Sequence, residues 1–316
     1  MRTSSAGLTD SLTVAHSGCV PETYLAAEIA TQPHDWRRAA ATARAHADAL
    51  PGDGERVAVI GCGTSLYMAR AFAALRESSG RGLTDAWPAS EARLDRGYDR
   101  VLAISRSGTT TEVLDLLGRI RDAGVVRTAA LTAVVDSPVS ELADEVVDLG
   151  FADEQSVVQT RFATTALGLL RAHLGDDVVA AAADAERALG ERIDGLTDTD
   201  QATFLGRGWT VGLAHEAALK AREAAQLWAE AYPAMDYRHG PIAIAQPGRV
   251  VWMFGSPPTG LLQDVAATGA RLVTSELDPM AQLVVAQRFA VALAEARDLD
   301  PDRPRHLTRS VVLPRA

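Results

Sequence analysis

The sequence predicts an α/β protein of two tandem doubly wound parallel-sheet units, with a helical segment in front and a C-terminal tail behind. Three observations carry this expectation. The chain has 316 residues, which suits two domains of roughly 100–200 residues each. Short continuous apolar runs alternate with longer stretches of helical period, the pattern of strands buried on both faces by helices. The alternation lapses near Gly190 to Asp200, where charge, Gly and Thr replace apolar periodicity, and then resumes in shorter form. The units are accordingly placed at residues 51–190 and 200–316, after an arm and helix at 1–50.

In chain order, the first twenty residues are small and polar and read as a loose arm. An alanine-rich stretch from Pro21 to Leu50 carries Leu25, Ile29, Trp36 and Ala40 as a helix, expected to break at Pro33. Val57 to Ile60 is a buried strand ending in Gly61-Cys62-Gly63, followed by a helix from Leu66 to Leu75. Val101 to Ile104 repeats the design, ending in Ser105-Arg106-Ser107-Gly108 before a helix from Glu112 to Ala123. Thr128 to Val135 and Val146 to Leu149 read as further strands, and Thr164 to Leu174 as a helix. In the second unit a strand ends at Phe204 to Gly208, and a long helix is expected from Thr210 to Ala231. Val250 to Phe254 and Arg271 to Thr274 are strands, and Met280 to Ala296 is the last helix. The two units share a plan of strand, glycine turn and helix, with no residue-level repeat.

Composition narrows the function. Hydrophobic residues make up 47% and charged residues 23% of the chain, an ordinary globular balance that excludes disorder. With 31 basic against 41 acidic residues the net charge is −10, which argues against nucleic acid or an anionic membrane as the main partner. Two cysteines, Cys19 and Cys62, exclude a disulfide framework and a multi-thiolate metal site. No apolar run approaches the ~20 residues of a membrane span, and the N-terminus lacks a signal peptide's order, so a soluble cytoplasmic protein is expected. Of the 31 basic residues only Lys220 is a lysine.

Two places in the sequence carry chemistry. Ser105-Arg106-Ser107-Gly108-Thr109-Thr110 lies where a strand hands over to a helix, so free N–H groups and the helix dipole would favour an anion there. The same hydroxyls would also serve as ordinary helix caps. Gly61-Cys62-Gly63-Thr64-Ser65 has a similar character and is no nucleotide fingerprint, since the third glycine and the acidic ribose ligand are missing. Two such turns at adjacent strand ends favour a sugar phosphate at the sheet's carboxyl edge. The second place is a helix on which Glu216, Lys220 and Glu223 fall at i, i+4 and i+7, hence on one face. A solvated face with ordinary ion pairs would give the same spacing. Against that, the face continues with Ala224 and Leu227, and the chain's single lysine falls on it.

These stretches resemble the sugar isomerase (SIS) domain family. Gly63-Thr64-Ser65 followed by Ser105-x-Ser107-Gly108-x-Thr110 matches its phosphate turns, and Glu28-Ile29-x-x-Gln32-Pro33 its first helix. Ala89-Ser90-Glu91 matches the turn after the family's second strand, and Glu154 to Leu167, with Val157 and Thr160, the segment closing over the sugar. Glu216 through Glu223 and Ala229-Glu230-Ala231-Tyr232 to His239-Gly240-Pro241 matches its catalytic stretch. Within the family the likeness is to the isomerase half of glutamine–fructose-6-phosphate aminotransferase and to stand-alone phosphosugar isomerases and aminosugar-phosphate deaminases.

The resemblance implies flavodoxin-like sheets and a small-molecule sugar 6-phosphate held by Ser65, Ser105, Ser107 and Thr110, with Val157 against the sugar. It implies no cofactor and no metal. Glu223 would be the proton-transfer base, Lys220 its partner, and His239 the ring-opening group donated by a second subunit of a homodimer. Arg106 stands where the aminotransferase has an amide, which adds positive charge near the phosphate. Arg309, in the tail Pro304 to Val311, stands where a Schiff-base lysine is expected, and a guanidinium cannot form an imine. The chain starts directly before the first helix, so no glutaminase chemistry is expected. An isomerase or deaminase that opens the ring and removes the C2 proton remains. The same intermediate could instead undergo β-elimination, as in a lyase or dehydratase acting on an N-acetylated hexosamine 6-phosphate. A non-catalytic sugar-phosphate sensor is the remaining reading; it would call for a helix-turn-helix for which the short arm has no room.

Overall fold

Pro33 lies inside the first helix rather than ending it. In the computed structural model, which describes residues 23–124 and 126–314, helix α1 runs unbroken over Tyr24–Ala45. A proline cannot donate to the carbonyl four residues back. Here that carbonyl, Ile29 O, accepts from Gln32 Nε2 at 3.1 Å, so no backbone group is orphaned and the helix continues. The same amide also donates to Gln287 Oε1 at 2.7 Å, which ties α1 to the far end of the chain. The expected arm, with Cys19, lies outside the described residues.

The first unit follows as β1 (Val57–Gly61), α2 (Thr64–Ser78), β2 (Thr84–Pro88), β3 (Arg100–Ile104) and α3 (Thr111–Ala123). It continues with β4 (Arg127–Thr132), α4 (Pro138–Leu142), β5 (Glu145–Asp148), α5 (Arg161–Leu174) and α6 (Val178–Ala188). The second has β6 (Gln201–Gly206), α7 (Thr210–Ala225), β7 (Trp228–Pro233) and β8 (Val250–Met253). It ends with α8 (Leu261–Thr268), β9 (Arg271–Val273) and α9 (Pro279–Ala296).

Both sheets are parallel, one of five strands in the order β2-β1-β3-β4-β5 and one of four in the order β7-β6-β8-β9. The second is the first without its last strand. In each, the chain reverses direction across the sheet between the first strand and the next one laid beside it, which opens a crevice at the carboxyl ends. Strand alternation divides the interior. Val57, Val59, Leu102 and Ile104 face the same core as Phe204, Trp252 and Phe289, so one face of each sheet looks onto shared helices α1, α5, α7 and α9. The opposite faces, through Ala58, Ile60 and Val101 or through Leu205 and Val251, close separate smaller cores.

The expected helix from Thr210 to Ala231 is corrected by the structure. Helix α7 stops at Ala225 because Gln226 turns left-handed at φ 51°, and Leu227 N–H closes the end on Ala221 O at 3.1 Å. Trp228–Pro233 then pairs with β6 as the edge strand. Strand β2 and helices α6 and α8 were not expected from the residues themselves. No helix among the described residues is long and apolar enough to cross a membrane.

Candidate active site at the switch point of the first sheet

The crevice between β1 and β3 is built from two turns. Gly61 is needed because a side chain there would come within 2.9 Å of Ser65, and Gly63 takes φ 55°. The second sheet repeats this residue by residue: a side chain at Gly206 would lie 2.3 Å from Thr210 O, and Gly208 takes φ 58°. Gly61-x-Gly63-x-Ser65 and Gly206-x-Gly208-x-Thr210 are therefore one turn used twice, which corrects the expectation that the two units share no residue-level repeat.

After β3 the loop is pinned from beneath. Ser105 N–H donates to Leu131 O at 3.0 Å, while Arg106 O accepts from Ala133 N at 3.1 Å and from Thr132 Oγ1 at 3.2 Å. Gly108 sits at φ 63°, where any Cβ would fall 1.9 Å from Ser137 Oγ. The backbone N–H groups of Ser107 and Gly108 have no hydrogen-bond partner among the described residues. Ser105 Oγ is buried with no partner either. Unpaired donors at a strand-to-helix junction are the requirements of an anion site.

The cleft above these turns has a volume of about 250 Å³. It brings together Ser65, Ser105, Ser107 and Thr110 with Val157, Glu223 and Arg309. Arg106 also borders it, but its guanidinium is buried and turned to structure. It donates to Ser156 O at 3.0 Å and to Arg309 O at 2.8 Å, beside Glu154 at 3.5 Å. Burial raises the Glu154 carboxyl above its usual range, against the pull of Arg106. Arg309 directs its own guanidinium onto the Asp153 carboxylate. His239 is exposed on the turn Asp236–His239 and does not border the cleft of its own chain.

Helix α7 brings a cluster of ionisable side chains to the edge of the cleft. Lys220 Nζ lies 2.5 Å from Glu223 Oε2, 3.0 Å from Thr64 Oγ1 and 3.4 Å from Glu216 Oε1. The lysine of the second unit thus reaches the first turn of α2 in the first unit. Glu216 and Lys220 are fully buried, whereas the Glu223 side chain keeps 18% exposure and borders the cleft. Burial alone would lower the Lys220 ammonium; the two carboxylates outweigh it and hold it above its ordinary value. Burial pushes Glu216 up to about 8, partly offset by Lys220.

That shift has a consequence for stability. The folded chain holds a proton on Glu216 between its ordinary 4.5 and about 8, where the unfolded chain does not. The contribution therefore weakens as pH rises through that interval. Glu216→Gln should flatten this decline, read as the thermal midpoint of each protein at pH 5 and pH 8.5. Parallel declines in the two proteins would assign the pH dependence to other groups.

Among the cleft residues not singled out from the sequence, Gln159 borders it with a buried, unpartnered Oε1, and Ser310 of the tail lies against the Ser105–Thr110 turn. Both sit in stretches already singled out, but only the fold shows which residues of them point inward. A wider hollow of about 800 Å³ along α3 and α4 mixes Glu112, Asp115 and Glu141 with Arg119 and Arg121, and includes neither turn.

Fold and cleft together define a doubly wound α/β protein with its polar cleft at the switch point of the first sheet. Residues 53–173 match the SIS domain family. The chain is a SIS-domain protein, homologous to isomerising glutamine–fructose-6-phosphate aminotransferases. It is 34% identical over 265 residues to the one from Pyrobaculum aerophilum, a match covering 68% of this chain and 44% of that protein. The chain thus aligns with less than half the length of that relative. Among solved structures it is similar to glucosamine-6-phosphate deaminase from Thermotoga maritima, with TM-score 0.79 and 25% identity over 92% of this chain and 100% of that one. The C-terminal domain of the Francisella tularensis glucosamine–fructose-6-phosphate aminotransferase shares the fold, with TM-score 0.76 and 21% identity over 90% of this chain and 98% of that one.

Proposed function

We propose that the chain is a phosphosugar isomerase or aminosugar-phosphate deaminase that opens a hexose or hexosamine 6-phosphate and moves its C2 proton. The observation that carries this reading is Lys220, clamped between Glu216, Glu223 and Thr64 at the edge of a hydroxyl-lined cleft. Lys220 engages Oε2 of Glu223, and Oε1 has no partner among the described residues. In this reading Oε1 takes the C2 proton from the open-chain sugar, the C–H pair becomes the C1=C2 bond as the carbonyl pair moves to O1 in an enediolate, the O2 hydroxyl proton passes to O1, and the abstracted proton returns at C1. With an amine at C2 the product imine gives up ammonia to water instead. Amine transfer from a Schiff base is not proposed, since position 309 holds an arginine engaged with Asp153.

Incubation with glucosamine-, N-acetylglucosamine-, fructose- and tagatose-6-phosphate in deuterated water, followed by NMR, tests the reading. Deuterium should enter at C2 of one of the amino sugars or at C1 of one of the ketoses, and the product separates isomerisation, ammonia release and elimination. No exchange in any of the four would overturn it.

In this reading the 6-phosphate rests on Ser105, Ser107 and Thr110, with Ser65 in support. A lost hydrogen bond to a charged group costs ~1.5–3 kcal/mol. Ser107→Ala should therefore weaken binding of the phosphorylated sugar about ten- to a hundredfold and leave its dephosphorylated analogue nearly unchanged. Equal losses for both would remove the phosphate from this turn.

A further inference from the structure

The segment that carries Val157 and Gln159 to the cleft is fastened from behind by a helix that does not border it. Burial alternates along this segment: Ser156, Val158 and Thr160 are buried, whereas Val157 and Gln159 are half-buried and line the cleft. Glu28 of α1, itself only 6% exposed and not a cleft residue, gathers the start of the segment. Its Oε1 accepts from Gln155 N–H at 2.5 Å and its Oε2 from Ser156 Oγ at 2.5 Å, with Ser156 N–H 3.4 Å from both oxygens. Arg106 holds the same residue from the other side, through Ser156 O at 3.0 Å. At the far end, Glu154 Oε1 accepts from the N–H groups of Thr160 and Arg161 at 2.5 and 2.8 Å.

We propose that Glu28 is a positioning residue, which fixes the register of residues 155–160 so that Val157 and Gln159, and not their neighbours, meet the substrate. This rests on the sugar-phosphate reading of the cleft. With Ser156 and Val158 turned inward, Val157 and Gln159 are left to face the ligand, and a slip of one position would exchange the two sets. Gln159 has something to offer there: its Oε1 is buried with no partner among the described residues, so it is free for a sugar hydroxyl or amine. Reach matters at Glu28 more than charge. A carboxylate one carbon shorter would fall short of the two N–H groups and the hydroxyl. An amide of the same length would serve, with its oxygen accepting from Gln155 N–H and its NH2 donating to Ser156 Oγ. That hydroxyl could then keep its hydrogen on Val158 O, 2.8 Å away.

Glu28→Asp, which keeps the charge and loses the reach, and Glu28→Gln, which does the opposite, separate the two properties. The substrate is whichever of glucosamine-, N-acetylglucosamine-, fructose- or tagatose-6-phosphate the full-length wild type turns over. Glu28→Asp should raise KM about tenfold or more with kcat within a few fold, because only chains with the segment in register bind well. Glu28→Gln should stay within a few fold of wild type in both. Hydrogen exchange over residues 153–161, read by mass spectrometry, gives a second measure that needs no substrate. Amides there should exchange faster in Glu28→Asp and at the wild-type rate in Glu28→Gln. An unchanged KM in Glu28→Asp overturns the proposal even if the thermal midpoint falls, because Glu28 then only stabilises the fold. Glu28→Gln as impaired as Glu28→Asp overturns it as well and assigns the effect to charge. If the wild type acts on none of the four sugars, the sugar-phosphate reading fails and the effect on KM falls with it; exchange that Glu28→Asp leaves unchanged removes the clamp alone.

Discussion

Glu223→Gln is expected to lose about 10²–10⁴-fold in turnover while its affinity for the sugar phosphate stays within a few fold, since a positioned base is worth that much in rate. The separation follows from the site. The proposed phosphate ligands are hydroxyls of two turns at the ends of β1 and β3, whereas Glu223 stands on α7 of the other unit. The amide keeps the shape and an oxygen for Lys220 but cannot take a proton from carbon. Solvent exchange of the C2 proton should stop together with turnover, because that step precedes isomerisation, ammonia release and elimination alike. A Glu223→Gln protein that exchanges the proton at the wild-type rate would take Glu223 out of the mechanism. Loss of binding in step with rate would make it a binding group instead.

Much of this arrangement is legible in the sequence because buried parallel strands announce themselves. Val57 to Ile60 and Val101 to Ile104 are wholly buried and read as continuous apolar runs, and the polar turns after them mark the strand ends. Strand β2 escaped because Thr84 alone in Thr84–Pro88 is fully buried, so the run carries neither alternation nor a continuous apolar block. Strand β7 was absorbed into α7 because a glutamine, not a glycine or proline, turns the chain at position 226. Pro33 reads as a helix break because the rescue of Ile29 O comes from a side chain, Gln32, that no backbone rule anticipates.

The site divides in the same way. The i, i+4, i+7 spacing put Glu216, Lys220 and Glu223 on one face, and helical geometry alone keeps them there. That Lys220 reaches Thr64 across 156 positions of sequence is a product of the packing of α7 on α2. Arg106 shows the opposite limit. Its place in the turn after β3 suggests charge for the ligand, but Glu154 and three carbonyls take up its two Nη groups, so the guanidinium is held away from the cleft.

Mixing inactive Glu223→Gln with inactive His239→Ala, under conditions that let subunits exchange, is expected to restore about a quarter of the wild-type activity if copies pair at random. The number follows from a shared site. Suppose each cleft uses its own Glu223 and the His239 of a second copy, as proposed from the resemblance. In a mixed dimer one cleft then collects both lesions and the other collects neither. Half the dimers in a random mixture are mixed, and each carries one intact cleft of two. What motivates the arrangement is the position of His239: exposed, on a turn outside the cleft that Glu223 borders. Were both groups to act within one chain, every chain in the mixture would carry a lesion in its own cleft and no activity would return. Subunit exchange has to be verified independently, for example by mass spectrometry of differently tagged copies. With exchange verified, a mixture as inactive as its parents places the ring-opening group elsewhere and frees His239 from the site.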